Sequence, residues 1–74
     1  MKVVEVYKTN VQNETQGNRI IRFLHRNYPW YNVNFDLDDI DRVLRIESYQ
    51  RKIDNESIIS LVRQLGCKAE PLPD

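Results

Sequence analysis

The strict alternation of apolar and polar side chains over residues 31–37 is the strongest constraint on the fold of this chain. The alternate positions are Tyr31, Val33, Phe35 and Leu37 on one side, and Asn32, Asn34 and Asp36 on the other. A period of two places successive side chains on opposite faces of a strand. The segment is therefore predicted to be a half-buried antiparallel strand with one wet face.

A second strand follows this one after a short acidic turn. Residues 38–41 read Asp-Asp-Ile-Asp, and Leu44 and Ile46 then continue the inward face. Residues 31–48 are thus predicted to form a hairpin. The turn carboxylates are interpreted as solvated, because a calcium loop of the EF-hand kind would need flanking helices.

Two helical patterns flank the hairpin. Asn13 with Gln16 forms a capping-box pattern that predicts the start of the first helix, and Pro29 ends it. Asp54 can cap the start of the second helix. Gly66 falls at the C′ position after this helix, where a residue in the left-handed conformation is common. The apolar positions with helical spacing are Ile20, Phe23 and Leu24 in the first helix and Ile58, Leu61, Val62 and Leu65 in the second.

The first and last strands of the chain complete the pattern, over residues 2–8 and 67–72. Val4 and Val6 of the first strand are predicted to face inward. The order β-α-β-β-α-β predicts a single α+β domain over residues 1–74, a ferredoxin-like sandwich. It has a four-stranded antiparallel sheet with two helices on one face. The predicted core consists of Val4, Val6, Ile20, Leu24, Val33, Phe35, Leu44, Ile46, Ile58, Leu61, Val62 and Leu65.

Composition narrows the classes of function. The 74 residues include 11 basic and 11 acidic side chains, so the formal net charge is zero. General binding to nucleic acid or to anionic membranes rests on excess positive charge, so neither partner is expected. A single cysteine excludes an intramolecular disulfide and a zinc cage made only of cysteines. Without an apolar leader or spanning run, a cytoplasmic location is expected.

The chain resembles the heavy-metal-associated domain of copper chaperones and metal-transporting ATPases over nearly its whole length. The supporting segments are Val-Asn-Phe-Asp-Leu at 33–37, Leu-Arg-Ile-Glu at 44–47 and the run from Ile58 to Glu70. These are mostly packing positions, so they bear on the fold more than on the function. In the resemblance, Trp30 falls where the family usually has a buried valine, and it is expected to plug the core.

The metal motif of that family, Met-x-Cys-x-x-Cys, falls on Val11, Asn13 and Gln16. Copper(I) is a soft ion held by thiolates, and amides supply neither the negative charge nor the polarisable sulfur. The resemblance therefore implies a domain without the family's copper site, and no cofactor is expected. The alternative is a divergent site for copper or another soft metal that uses Cys67, although a free cysteine is commonly a small buried hydrophobe.

Two features are candidates for partner binding. Arg19, Arg22 and Arg26 lie on one side of the first helix without acids three or four residues further on. Tyr28 and Tyr31 belong to the aromatic segment around Pro29, and aromatic residues are enriched in interface hot spots.

The sequence contains few of the residue combinations that catalysis needs, so the chain is not expected to be an enzyme. A non-catalytic module that binds a protein through the polar sheet face, the aromatic segment or the arginines is the favoured interpretation. The metal protein that uses Cys67 is the first alternative. An acylphosphatase-like hydrolase using Asn13, Asn18 and Arg19 is the second, although the glycine-rich loop that would cradle phosphate is missing. A homo-oligomer also stays open.

Overall fold

The computed structural model describes residues 2–73, so Met1 and Asp74, the two ends of the predicted domain, lie outside the described residues. Six elements follow one another: β1 (Val3–Thr9), α1 (Glu14–Asn27), β2 (Tyr31–Asp36), β3 (Val43–Ser48), α2 (Asn55–Gln64) and β4 (Ala69–Pro71). The predicted order of strands and helices is confirmed. The last strand is shorter than the predicted 67–72.

The four strands form one antiparallel sheet in the order β2-β3-β1-β4. Each helix connects two strands that lie apart in the sheet, which is the ferredoxin-like arrangement of two interleaved βαβ units. Both helices cover the same face, so the sheet has one buried face and one open face. The predicted fold class is therefore confirmed.

The first helix begins as its sequence predicts. Asn13 is the N-cap, and its Oδ1 accepts a hydrogen bond from the backbone N–H of Gln16 at 2.9 Å. The amide oxygen of Gln16 accepts in turn from the N–H of Gln12 at 2.8 Å, so two backbone donors at the helix start are satisfied. At the other end, the N–H of Tyr28 donates to Leu24 O before the chain reaches Pro29.

The second helix is closed by a Schellman motif. Asp54 Oδ1 accepts from the N–H groups of Glu56 and Ser57 at the start. After the helix, Gly66 takes φ +84°, and the N–H of Cys67 donates to Val62 O at 3.2 Å. A glycine adopts this left-handed conformation without a Cβ clash, which explains why the helix stops there.

The core lies between the sheet and the two helices. Seven of the predicted core residues are buried, and Phe35, Leu61 and Leu65 are partly buried against them. The buried apolar residues are Tyr7, Val11, Ile20, Leu24, Tyr31, Val33, Leu44, Ile46, Ile53, Ile58, Val62 and Cys67.

The predicted inward face of the first strand is wrong. Val6 pairs with Arg45 and Val4 pairs with Glu47, and directly paired residues point to the same side of a sheet. Val4 and Val6 therefore lie half-buried on the open face, while Tyr7, paired with buried Leu44, enters the core. The strand carries apolar side chains on both faces, so only its register with β3 decides which set points inward.

Candidate interaction surfaces

The three positions on which the resemblance places the metal motif all have structural roles. Val11 is buried in the core, and Asn13 and Gln16 are hydrogen-bonded into the start of α1. The two amide oxygens therefore stabilise the helix end by capping it. Between residues 2 and 73, no group of three or more histidine, cysteine, aspartate or glutamate side chains is placed to hold a metal ion.

Cys67 is one of the residues that line a groove beside β4. The thiol residue is buried in the core cluster, directly after the left-handed Gly66. The groove, of about 700 Å³, runs around the short β4 edge and also includes Lys8, Arg63 and Lys68. The amide of Asn10 accepts from the N–H of Lys68 at 2.7 Å and holds the end of β1 to the segment before β4. Cys67 therefore acts here as a small hydrophobe.

The arginine strip consists of Arg19, Arg22 and Arg26 on α1, and the structure brings these three residues together. All three side chains are exposed, and they surround a shallow depression whose apolar part comes from Phe23 and Leu65. Arg26 lies in the last turn of the helix, where a cation interacts favourably with the backbone dipole. The arrangement joins positive charge to partly exposed apolar surface.

Ion pairs occur elsewhere on the surface. In the described part of the chain they are Lys2–Glu47 at 3.4 Å, Arg45–Glu47 at 3.1 Å and Lys8–Asp41 at 3.9 Å, and none involves the arginine strip. The charged groups of the open sheet face thus partly neutralise one another. Among the surfaces predicted from sequence, the strip keeps its charge available to a partner.

The aromatic segment forms a cluster next to the core. The rings of Tyr28 and Tyr31 stack with centroids 4.9 Å apart, and Trp30 meets Tyr31 edge-on at 6.0 Å. Tyr31 is only 4% exposed, and its hydroxyl donates to Lys52 O at 3.2 Å. Burial raises the pKa of this hydroxyl. Tyr31 therefore lies in the core and offers no surface, whereas Tyr28 is half-buried and stays accessible.

Trp30 is partly buried against the core, with Arg51 on its ring. Its indole Nε1 is buried and has no hydrogen-bond partner within residues 2–73. Sequence reasoning missed Arg51, because a contact between residues 21 positions apart leaves no periodic signal along the chain. It also missed Tyr7, whose buried hydroxyl donates to the amide oxygen of Asn55 and whose pKa is raised, chiefly by burial.

No family model matches this chain, and no curated protein matches it in sequence. The protein is therefore described by its fold and its surface. It is a ferredoxin-like α+β domain whose first helix carries a cationic strip that takes part in no ion pair within the described residues. Within residues 2–73, the helices are too short or too polar for any of them to cross a bilayer.

Proposed function

We propose that this chain is a non-catalytic interaction module, resembling a heavy-metal-associated domain without its thiolate site, that binds an acidic protein surface through the arginine strip. The observation that carries the proposal is the set of three exposed guanidinium groups around Phe23 and Leu65, outside every ion pair of the described residues. The resemblance to the metal-handling family rests on the sequence pattern alone.

The physical chemistry of arginine supports a protein partner. A guanidinium binds carboxylates through two parallel hydrogen bonds, and arginine is enriched at interface hot spots. The apolar side chains of Phe23 and Leu65 add contact area that excludes water around those pairs. Because the chain has no net charge, attraction must come from the local patch and not from the whole protein.

The two alternatives have less support from the geometry. A metal site at Cys67 would need further ligands, and this residue is buried in the core cluster where it lines the groove. A hydrolase of the acylphosphatase kind would use Asn13, Asn18 and Arg19, and the amide oxygen of Asn13 already accepts from Gln16 N in the helix cap. These contacts favour the interaction module.

The test is a titration of isotope-labelled protein with a short peptide of alternating glutamate and leucine, followed by backbone amide shifts. We expect the largest shifts on α1 around Arg22 and near Leu65, and little change with a lysine–leucine peptide. Replacing the three strip arginines by serine should abolish these shifts.

The matched control carries serine at Lys8, Arg63 and Lys68, which changes the net charge by the same amount at a different place. This control should keep the shifts on α1. Equal loss in both triple variants, or shifts spread over the whole surface, would show that the binding is unspecific attraction and would overturn the proposal. Tight Cu(I) binding that disappears in Cys67→Ser would instead favour the metal alternative.

A further inference from the structure

The two edges of the sheet differ in how well they are protected. The strand order places β2 and β4 at the edges. β4 has only three residues and ends in Pro71, which lacks an N–H, and short strands and prolines both block the addition of another strand. β2 has six residues, Tyr31–Asp36, and contains neither proline nor lysine. The β2 edge is therefore the edge to which another strand can add.

The hydrogen bonds identify which backbone groups face outward from β2. The N–H of Tyr31 donates to Tyr28 O in the preceding loop, so this residue points away from β3. Because backbone groups alternate in direction along an antiparallel strand, Val33 and Phe35 also point their N–H and C=O groups away from β3. Backbone groups alternate in direction on the other side of the sheet as well. There, the C=O of Val6 in β1 accepts from the N–H of Leu72, the residue after β4, at 2.8 Å.

The side chains of this strand are sorted by face. Tyr31, Val33 and Phe35 lie on the helix side, and Asn32, Asn34 and Asp36 are exposed on the open side. Phe35 and Leu37 are only partly buried, and both line a groove between β2 and α1. The strand thus combines free backbone groups with incompletely covered apolar side chains.

We propose that two copies of this chain associate through their β2 edges, antiparallel, with Asn34 facing Asn34 of the second copy at the two-fold axis. The outward backbone groups of Val33 and Phe35 would then bond across the interface, which extends the sheet to twice its number of strands. An isologous contact of this kind closes on itself and leaves the β2 edge covered.

Side-chain chemistry selects this register. With Asn34 on the axis, Asn32 faces Asp36 of the second copy, so an amide N–H meets the one carboxylate of the strand. On the helix side, Val33 faces Phe35 and Tyr31 faces Leu37, so the partly buried side chains of Phe35 and Leu37 are covered further. No like charges oppose each other within the strand pair. A shift that put Val33 on the axis would leave Asp36 facing Trp30.

The interface and the arginine strip occupy different sides of α1. The groove beside β2 is lined from this helix by Glu14, Gly17, Asn18 and Ile21, whereas the strip lies around Phe23 and faces Leu65. Pairing through β2 therefore leaves both strips exposed. The dimer is independent of the proposed function, and the two proposals can fail separately.

Analytical ultracentrifugation over a concentration series tests the pairing. We expect the wild-type protein to form a dimer, and Asn34→Lys to weaken it by about tenfold or more, because the two introduced ammonium groups meet at the axis. Asn32→Lys is the matched control with the same change of charge. It should retain the dimer, because the introduced lysine faces Asp36 of the second copy.

A cross-linking measurement keeps the test independent of the association strength. In a Cys67→Ser background, Asn34→Cys should form a disulfide-linked dimer on mild oxidation, whereas Asn32→Cys should not, because facing residues of a non-hydrogen-bonded pair come close enough to bridge. Circular dichroism of each variant verifies folding. A wild-type monomer at millimolar concentration, equal weakening by the two lysine variants, or preferential cross-linking at position 32 would each overturn the proposal.

Discussion

The guanidinium carbon of Arg51 lies 4.3 Å from the centroid of the Trp30 ring. This contact joins the segment after β3 to the loop before β2, and it covers the aromatic cluster that Trp30 forms with Tyr28 and Tyr31. A guanidinium over an indole face is attracted by the negative face of the ring. Arg51 therefore stabilises a part of the fold that sequence periodicity does not identify.

Replacing Arg51 by alanine should destabilise the protein by about 0.5–1 kcal/mol, the usual size of an exposed cation–π contact. The same change should alter the fluorescence of Trp30, the single tryptophan of the chain. Urea unfolding followed by that fluorescence measures both effects. Arg63→Ala is the control, because Arg63 is exposed and lies at the groove beside β4; an equal loss there would contradict the assignment.

The Tyr7 hydroxyl is the second contact with a measurable consequence. Tyr7→Phe removes the donor to Asn55 and leaves a partly buried amide oxygen without that partner, which should cost about 1–2 kcal/mol. Tyr49 is 59% exposed, so Tyr49→Phe should change the free energy of unfolding very little. Similar values for the two variants would show that the buried hydrogen bond contributes nothing.

Alkaline pH should also destabilise the protein through Tyr7. Burial raises the pKa of this phenol above its ordinary value of 10.0, so the folded state keeps the proton after the unfolded chain has lost it. Stability from this group is complete below about pH 10 and falls as the pH rises further. Urea midpoints at about pH 8 and about pH 11 should differ less in Tyr7→Phe than in the wild type; an unchanged difference would contradict this prediction.

The two glycines should respond to alanine in opposite directions. Gly66 has φ +84°, so Gly66→Ala forces a side chain into the left-handed region at a cost of about 1–2 kcal/mol. At Gly17 an added Cβ would lie 3.5 Å from the Phe35 ring, an ordinary contact, so Gly17→Ala should gain about 0.5–1 kcal/mol of helix stability. Thermal unfolding measures both, and a loss at Gly17 would mean that its packing tolerates no methyl group.

Introducing thiols at the start of α1 tests the family resemblance. The side chain of Asn13 accepts a hydrogen bond from the backbone N–H of Gln16, so both positions lie within the first turn of α1. We expect the double variant Asn13→Cys, Gln16→Cys to bind Cu(I) against a competing chelator, because thiolates are the ligands that this soft ion prefers. The matched Asn13→Ser, Gln16→Ser protein should not bind it. A folded double-cysteine variant without Cu(I) binding would contradict the resemblance at this end of the fold.

Local chemistry was enough to predict the helix ends, the hairpin and the order of elements from the sequence. Asn13 caps α1, Gly66 ends α2, and the alternation over residues 31–36 forms a strand, because each depends on a few neighbouring residues. The sequence could not predict which face of β1 is buried, because Val4 and Val6 lie on one face of the strand and the apolar ring of Tyr7 lies on the other. Only the pairing of β1 with β3 decides which of the two faces points into the core.

The candidate surfaces also differ in whether the sequence alone could predict them. The spacing of Arg19, Arg22 and Arg26 already places them on one side of a helix, so the sequence by itself determined the arginine strip. Only the tertiary structure decided that Tyr31 is buried, that Arg51 covers Trp30 and that β2 forms an open edge. These properties depend on segments distant in sequence meeting in space, and a pattern read along one segment contains no information about what packs against it.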